Sequence, residues 1–289
     1  MTVDAHVHLW DPDLHDHDWL RSTNGLNRRF GLDDLVAAAG TVPAVAVQAG
    51  QSAAEARWLL GLAARSPQLA GVVVHGDLGD ATVVDMIDAL RAEVGGPTLV
   101  GLRDPVGGGA RLGQTQVRRS LAALGERGLA VDLLLGEGTL GVAYEAARDL
   151  PQVRFVVDHA AISAVDVRSG GLAEWAAQLA LLGGLPNVVC KLSGFGKATA
   201  EPGGVSLDEV VRVALDVFGP YRLMFGSDWP VSTLWSPYED VLSAMTRVMG
   251  GLTADEAVAV WGGTAVGVYG LDPARSLIDK RMPIQEAEG

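Results

Sequence analysis

Apolar runs of strand length alternate with longer stretches of helical period along almost the whole chain. The strand-length runs are Val3–His8, Ala44–Gln48, Gly71–His75, Thr98–Leu102, Ala130–Leu135, Arg154–Asp158, Val188–Leu192 and Leu223–Ser227. Between them, apolar residues recurring every three to four positions predict helices near Leu32–Ala39, Ala53–Arg65, Ala81–Glu93, Gln116–Arg127, Leu140–Arg148, Leu172–Leu182, Leu207–Phe218 and Tyr238–Val248. Strands that are apolar on both faces and separated by helices belong to a parallel sheet buried on both sides. Eight such β-then-α units is the count of a (β/α)8 TIM barrel. A doubly wound open sheet produces the same local signals. A further helix near Ala254–Trp261 and a polar tail from Asp272 finish the chain, giving one domain over 1–271 and a tail over 272–289. There is no internal repeat beyond the alternation. The glycine runs Gly107-Gly108-Gly109 and Gly203-Gly204 fall in βα loops, where glycine usually marks a turn.

Composition narrows this picture. The length of 289 residues suits a single α/β barrel, and 48% hydrophobic against 20% charged residues suits a large core. A net charge of −13 argues against nucleic acid or an anionic membrane as partner and leaves a small-molecule substrate. The single cysteine, Cys190, forbids an internal disulfide and fits a reducing compartment. No signal peptide precedes the first strand, and no apolar run reaches the roughly 20 residues of a membrane helix. The expectation is a soluble cytoplasmic protein; oligomeric state is not readable from the sequence.

Chemistry in a barrel sits at the C-terminal ends of the strands. Side chains alternate along a strand, so His6 and His8 point the same way at the end of the first. They are either hydrogen-bonded core histidines or ligands. The last strand, Leu223-Met224-Phe225-Gly226-Ser227-Asp228, delivers a carboxylate into a turn. If the barrel closes, Asp228 meets His6 and His8, a nitrogen-and-oxygen set that suits zinc or a similar divalent ion. The other strand ends carry Gln48, His75, Arg103, Asp158-His159, and Lys191 with Ser193. Strand 5 offers nothing closer than Glu137. Arg103 and Lys191 are suited to holding a carboxylate or polarising a carbonyl, unless Arg103 pairs with Asp104 or a neighbouring acid. Gln48 and His75 are further candidates for substrate contact. Asp228 is the candidate general base, and His159 is placed to orient water or substrate oxygen. Asp158 is expected to face the strand–helix layer or to cap a turn, Cys190 to face the helices, and His15 and His17 to be solvated.

Asp4-Ala5-His6-Val7-His8-Leu9-Trp10, Gly101-Leu102-Arg103, Phe155-Val156-Val157-Asp158-His159, Cys190-Lys191-Leu192-Ser193-Gly194 and Phe225-Gly226-Ser227-Asp228-Trp229-Pro230 occur in that order. In these motifs the chain resembles the amidohydrolase-related (amidohydrolase 2) family of metal-dependent TIM-barrel hydrolases, and within it the branch of sugar-lactone and dicarboxylate-lactone hydrolases. The resemblance implies that Asp228 activates water, that His6 and His8 bind a metal or the substrate, that His159 assists at the carbonyl, and that Arg103 contacts a substrate anion; Lys191 is the further candidate for stabilising the oxyanion. Three departures stand out: Asp104 where many members have histidine, Ala161-Ile162-Ser163 where many have Gly-Lys-Pro, and Gly262-Gly263-Thr264-Ala265 for a Gly-Gly-Asn-Ala pattern. Strands 4 and 5 lack the bridging lysine or glutamate and the histidine of two-metal members. The implication is at most one divalent ion, zinc first, or none. The expected activity is lactone opening by Asp228-assisted attack of water. The alternative on the same fold is zinc-dependent decarboxylation of an aromatic or unsaturated acid; a barrel that binds without chemistry is the remaining option.

Overall fold

The computed structural model describes residues 2–23, 25–104, 109–164, 171–200 and 204–272. Eight parallel strands run β1 Asp4–Val7, β2 Ala44–Val47, β3 Leu69–His75, β4 Leu99–Arg103, β5 Ala130–Leu133, β6 Arg154–Val157, β7 Val188–Leu192 and β8 Leu223–Phe225, paired in sequence order. The seam between β8 and β1 closes just beyond β8, where Trp229 bridges Val7. The (β/α)8 barrel is therefore the fold, and each strand lies within two residues of its expected limits.

The outer layer holds α1 Leu32–Ala39, α2 Ala53–Arg65, α3 Val83–Ala92, α4 Thr115–Glu126, α5 Leu140–Asp149, α6 Leu172–Gly183, a short α7 Gly196–Ala200, α8 Leu207–Phe218, α9 Tyr238–Val248, α10 Ala254–Val258 and α11 Thr264–Tyr269. Local chemistry starts several of them. Ser52 accepts the Glu55 amide at the head of α2, and Ser206 and Glu209 form a reciprocal capping box on α8. The helix expected over Ala254–Trp261 is instead α10, a wide turn over Ala259–Gly263, and α11. Gly262 and Gly263 sit where the ladder breaks, as two poor helix formers in succession would dictate.

Two apolar layers result. The outer one joins helices to the outward faces of the strands and includes Cys190, as expected. The inner one takes Ala5, Val47, Val73, Ala130, Val156, Val189 and Met224 from the strands, and Ala265, Tyr269 and Leu271 from α11 and just beyond it. Thus α11 plugs one end of the barrel and leaves the C-terminal strand ends for polar groups. Among the described residues no helix is long and apolar enough to cross a membrane. Apart from Asp272, the tail over 272–289 lies outside the described residues, as do Gly107, Gly108 and Gly203 of the glycine runs.

Candidate active site

An irregularity in β1 aims the first histidine. Asp4 pairs with Ala44 and Val7 with Ala46, so three steps of β1 answer two of β2. A bulge of this kind shifts the alternation by one residue. Ala5 faces the inner layer, Val7 the outer, and His6 between them turns inward to meet Lys191 and Asp158. At the other side of the seam, Asp4 Oδ1 accepts the amides of His6 at 3.2 Å and Ser227 at 2.9 Å. The Asp228 amide donates to the His6 carbonyl at 2.8 Å. Asp4 is sealed in by this role, and burial pushes its carboxyl up to about 6.

Asp228 and His159 share an uncommon backbone. Both are left-handed, with φ of 59° and 55°. In non-glycine residues such a conformation stores about 1–3 kcal/mol and clusters at functional sites. It turns each side chain back over the barrel mouth. Asp228 Oδ1 lies 3.5 Å from His8 Nε2 and 3.7 Å from His6 Nε2, and the two imidazole nitrogens are 3.2 Å apart. His8 Nδ1 donates to the Val47 carbonyl at 2.7 Å, which leaves Nε2 as the nitrogen offered to the site. His159 Nδ1 rests 2.8 Å from Ser193 Oγ. Burial alone would raise the Asp228 carboxyl, but His159, His8 and His6 outweigh it and hold it at about 2. Burial keeps the His6 and His159 imidazoles below their ordinary value. At neutral pH this leaves an anion beside the neutral imidazoles of His6 and His159.

That is the protonation state of a metal site, and the spacing fits one. Around a tetrahedral zinc with Zn–N near 2.0–2.1 Å, ligand atoms stand roughly 3.3–3.4 Å apart. The three separations among His6, His8 and Asp228 bracket that figure. His6, His159 and Asp228 form an overlapping triple whose ligand atoms all lie within 4.8 Å of one another. At the other nitrogen of His6, Nδ1, the Lys191 ammonium stands 3.1 Å away and donates, with Asp158 Oδ1 3.4 Å from the same atom. One ion fits; among the described residues the carboxylate that β5 brings to this layer, Asp132, is taken by Lys191 and Tyr269.

Beneath these groups lies a charged layer that the sequence reading placed only in part. Lys191, fully buried, reaches Asp132 Oδ2 at 2.5 Å, Asp158 Oδ1 at 3.0 Å and His6 Nδ1 at 3.1 Å. Tyr269 of α11 donates to Asp132 at 2.9 Å. Burial and the neighbouring Asp158 push the Asp132 carboxyl up to about 6, despite Lys191. For Asp158, Lys191, His6 and Arg103 overcome burial and hold the carboxyl well below the usual range. Arg103 donates to His75 Nε2 at 3.1 Å, Asp158 Oδ2 at 3.3 Å and the Gln48 carbonyl at 3.2 Å. His75 in turn donates from Nδ1 to the Gly50 carbonyl at 2.5 Å, and burial together with Arg103 keeps it neutral. Gln48 is wholly buried; its amide is spent on the His75 amide and the Ser52 carbonyl.

Several expectations are corrected here. Asp158 faces the site rather than the helix layer, because β6 alternates and Val156 is an inner residue. Arg103 pairs with Asp158; Asp104 pairs instead with Arg111. Strand 5 does contribute, through Asp132 rather than the exposed Glu137. A carboxylate flanked by Val131 and Leu133 carries the same signal that marked Lys191. His17 is not solvated: it is buried and donates from Nε2 to Glu55 at 3.1 Å, while His15 is half-buried against Trp58. Nothing near Tyr269 in the sequence points to Asp132, 137 positions away.

The chain is similar along almost its whole length to known proteins. An L-fucono-1,5-lactonase of Burkholderia multivorans is 34% identical over 295 residues, covering 95% of this chain and 98% of that protein. An L-fucono-1,5-lactonase of Burkholderia ambifaria is 31% identical over 285 residues, covering 93% and 96%. The crystal structure of an amidohydrolase from Burkholderia multivorans with bound zinc superposes with a TM-score of 0.84 at 31% identity, over 94% of this chain and all of that one. The amidohydrolase family model matches residues 3–271, from the start of β1 to the residue after α11's cap, and with the histidine pair and Asp228 meeting at the seam the chain belongs to the amidohydrolase family.

Proposed function

We propose that this protein opens a small lactone by attack of water on the ester carbonyl. The observation that carries the reading is Asp228: an ionised, nearly buried carboxylate at the barrel mouth with three imidazoles around it. The two lactonase relatives support it.

In this reading Asp228 and His159 hold the water. A carboxylate with so low a pKa is a poor base toward free water. The attacking water gains acidity as its oxygen bonds to the carbonyl carbon, however, and at that stage a weak base suffices. The oxygen–carbon bond forms, Asp228 takes the proton, and the tetrahedral intermediate collapses with loss of the ring oxygen. That oxygen receives the proton back, leaving a hydroxy acid. His6, His8, His159 and Asp228 are the residues that would hold a zinc ion, which would supply Lewis-acid polarisation of the carbonyl. Lys191, its charge shared by Asp132 and Asp158, holds His6 from beneath rather than touching the substrate. Arg103 and His75, slightly exposed, face the substrate; Gln48 holds His75 in place rather than reaching the ligand. The buried Cys190, its thiol pushed up by burial, suits the cytoplasmic setting we propose.

The test is acid release from a panel of aldonolactones and dicarboxylate lactones, with and without chelator and with zinc content measured in parallel. Turnover of at least one lactone is expected. Activity lost to the chelator and restored by zinc would make the histidines ligands; activity that persists would place the work on Asp228 and His159. Release of carbon dioxide from an aromatic acid, with no lactone turned over, would replace this reading with the decarboxylase one.

A further inference from the structure

A cavity of about 120 Å³ opens beside Asp228, between the loop after β7, the turn after β8 and α9. This volume has room for several non-hydrogen atoms. It shares Asp228 and Ser193 with the reacting centre but lies outside the charged layer. Its lining mixes hydroxyls and aromatic faces: Thr199, Ser232 and Ser236 with Phe195 and Trp235. The charged residues lining it, among those described, are Asp228 and Asp240, both acids. An anionic guest is therefore repelled, whereas a neutral hydroxylated one finds both hydrogen-bond partners and apolar surface for its C–H groups.

Ser232 sharpens the point. It is buried, yet its hydroxyl has no hydrogen-bond partner among the described residues. Buried hydroxyls are nearly always satisfied, so an orphaned one lining a cavity is an acceptor and donor held in reserve. Its backbone amide donates to the Asp228 carbonyl at 2.8 Å, which fixes its distance from the reacting carboxylate. Trp235 is seated over the β7 loop by Gly196, where a Cβ would come within 2.8 Å of the indole.

We propose that this cavity is the subsite for a neutral, hydroxylated substituent carried by the lactone ring, with Ser232 as the residue that recognises its hydroxyl. The proposal rests on the lactonase reading and adds which part of the substrate goes where. Ala244 of α9 lines the cavity and is half-buried, so Ala244→Met narrows it at a residue that is none of the reacting groups.

Kinetics of Ala244→Met and Ser232→Ala on a hydroxylated aldono-1,5-lactone and on unsubstituted δ-valerolactone test it. Ala244→Met should raise KM for the hydroxylated lactone about tenfold or more and leave kcat/KM for δ-valerolactone at the wild-type value. Ser232→Ala should show the same selectivity with a smaller factor. Equal losses on both lactones, or no loss on either, would overturn the proposal. If the wild type turns over neither of these nor any lactone of the wider panel, the lactonase reading fails and calorimetry with an aldopyranose decides the subsite. Binding that Ala244→Met weakens supports it; no binding to the wild type overturns it.

Discussion

The amide of Asp228 donates to the carbonyl of His6, so the bond that closes the barrel also sets the distance between a carboxylate and an imidazole. Fold and site are stated by one contact. The strands β1 and β8 need not be long to meet, because the seam continues past them through His8 and Trp229. A change that disturbs the seam disturbs the chemistry with it, and the reverse need not hold.

Asp228→Asn separates the two. Asparagine tolerates the left-handed backbone that this position requires and keeps the amide that bonds His6. The variant should keep the fold but melt a few degrees lower at neutral pH, since a nearly buried carboxylate held at about 2 by its imidazoles contributes stability there. Its kcat should fall about 10²–10⁴-fold, the ordinary contribution of a general base. Lactonase activity within a few-fold of wild type would remove Asp228 from that role.

Gly226→Ala should do the opposite and damage the frame first. A Cβ at this position would lie 2.7 Å from His6 Cβ and 3.1 Å from Ser193 Cβ, neither of which can swing aside. Overpacking of this kind costs about 1–3 kcal/mol. Chemical denaturation should show that loss, together with reduced activity, because the strand ends that carry His6 and Asp228 are forced apart. A variant of full stability would mean that the seam relaxes more freely than its contacts imply.

The barrel, its strand limits and the meeting of His6, His8 and Asp228 were legible because each rests on local period and on a fold rule that collects strand ends. What was not legible depended on geometry beyond period. The bulge in β1 decides that His6 faces inward, and Asp158 lies one residue past a four-residue strand whose facing had to be guessed. Asp132 lies inside β5 rather than at its end, although its carboxylate interrupts an apolar strand as plainly as the Lys191 ammonium does. Tyr269 reaches Asp132 through a helix that plugs the barrel from below, a contact no sequence spacing announces.

Lys191 is the residue whose loss the layer tolerates least. Lys191→Met leaves Asp132 and Asp158 buried without the cation between them, and breaking a buried pair costs about 3–5 kcal/mol. The penalty should depend on pH. Asp132 already stands raised to about 6 from its ordinary 3.8, so its ionised form opposes folding above that ordinary value. Without Lys191 it rises further, and the folded state then binds protons that the unfolded state releases. The variant's deficit in melting temperature should therefore shrink on going from pH 8 to pH 5. A deficit that stays constant or grows in acid would show that the charge balance of the layer is not as described.

His17 and Glu55 give the complementary pH dependence away from the histidine pair. Burial would raise the Glu55 carboxyl, but the His17 imidazole and the Gly50 and Ala49 amides outweigh it and hold the group below its ordinary 4.5. Burial would lower His17, but Glu55, the His15 carbonyl and Asp16 hold it above its ordinary 6.5. The depressed carboxyl contributes stability that is present above 4.5 and lost as pH falls through its folded value. The raised imidazole contributes stability that is complete below 6.5 and lost as pH rises through its folded value. Both contributions overlap between pH 4.5 and 6.5. His17→Gln removes the charge, so the wild-type advantage in melting temperature should be greatest in that window and smaller at pH 8.5. The pair also reaches the site: Glu55 holds the Gly50 amide, and the Gly50 carbonyl holds His75 against Arg103. The variant should accordingly show a raised KM with kcat less affected, because what loosens is the wall that faces the substrate. An advantage that does not vary with pH would mean that His17 is neutral in the folded protein and acts by packing alone.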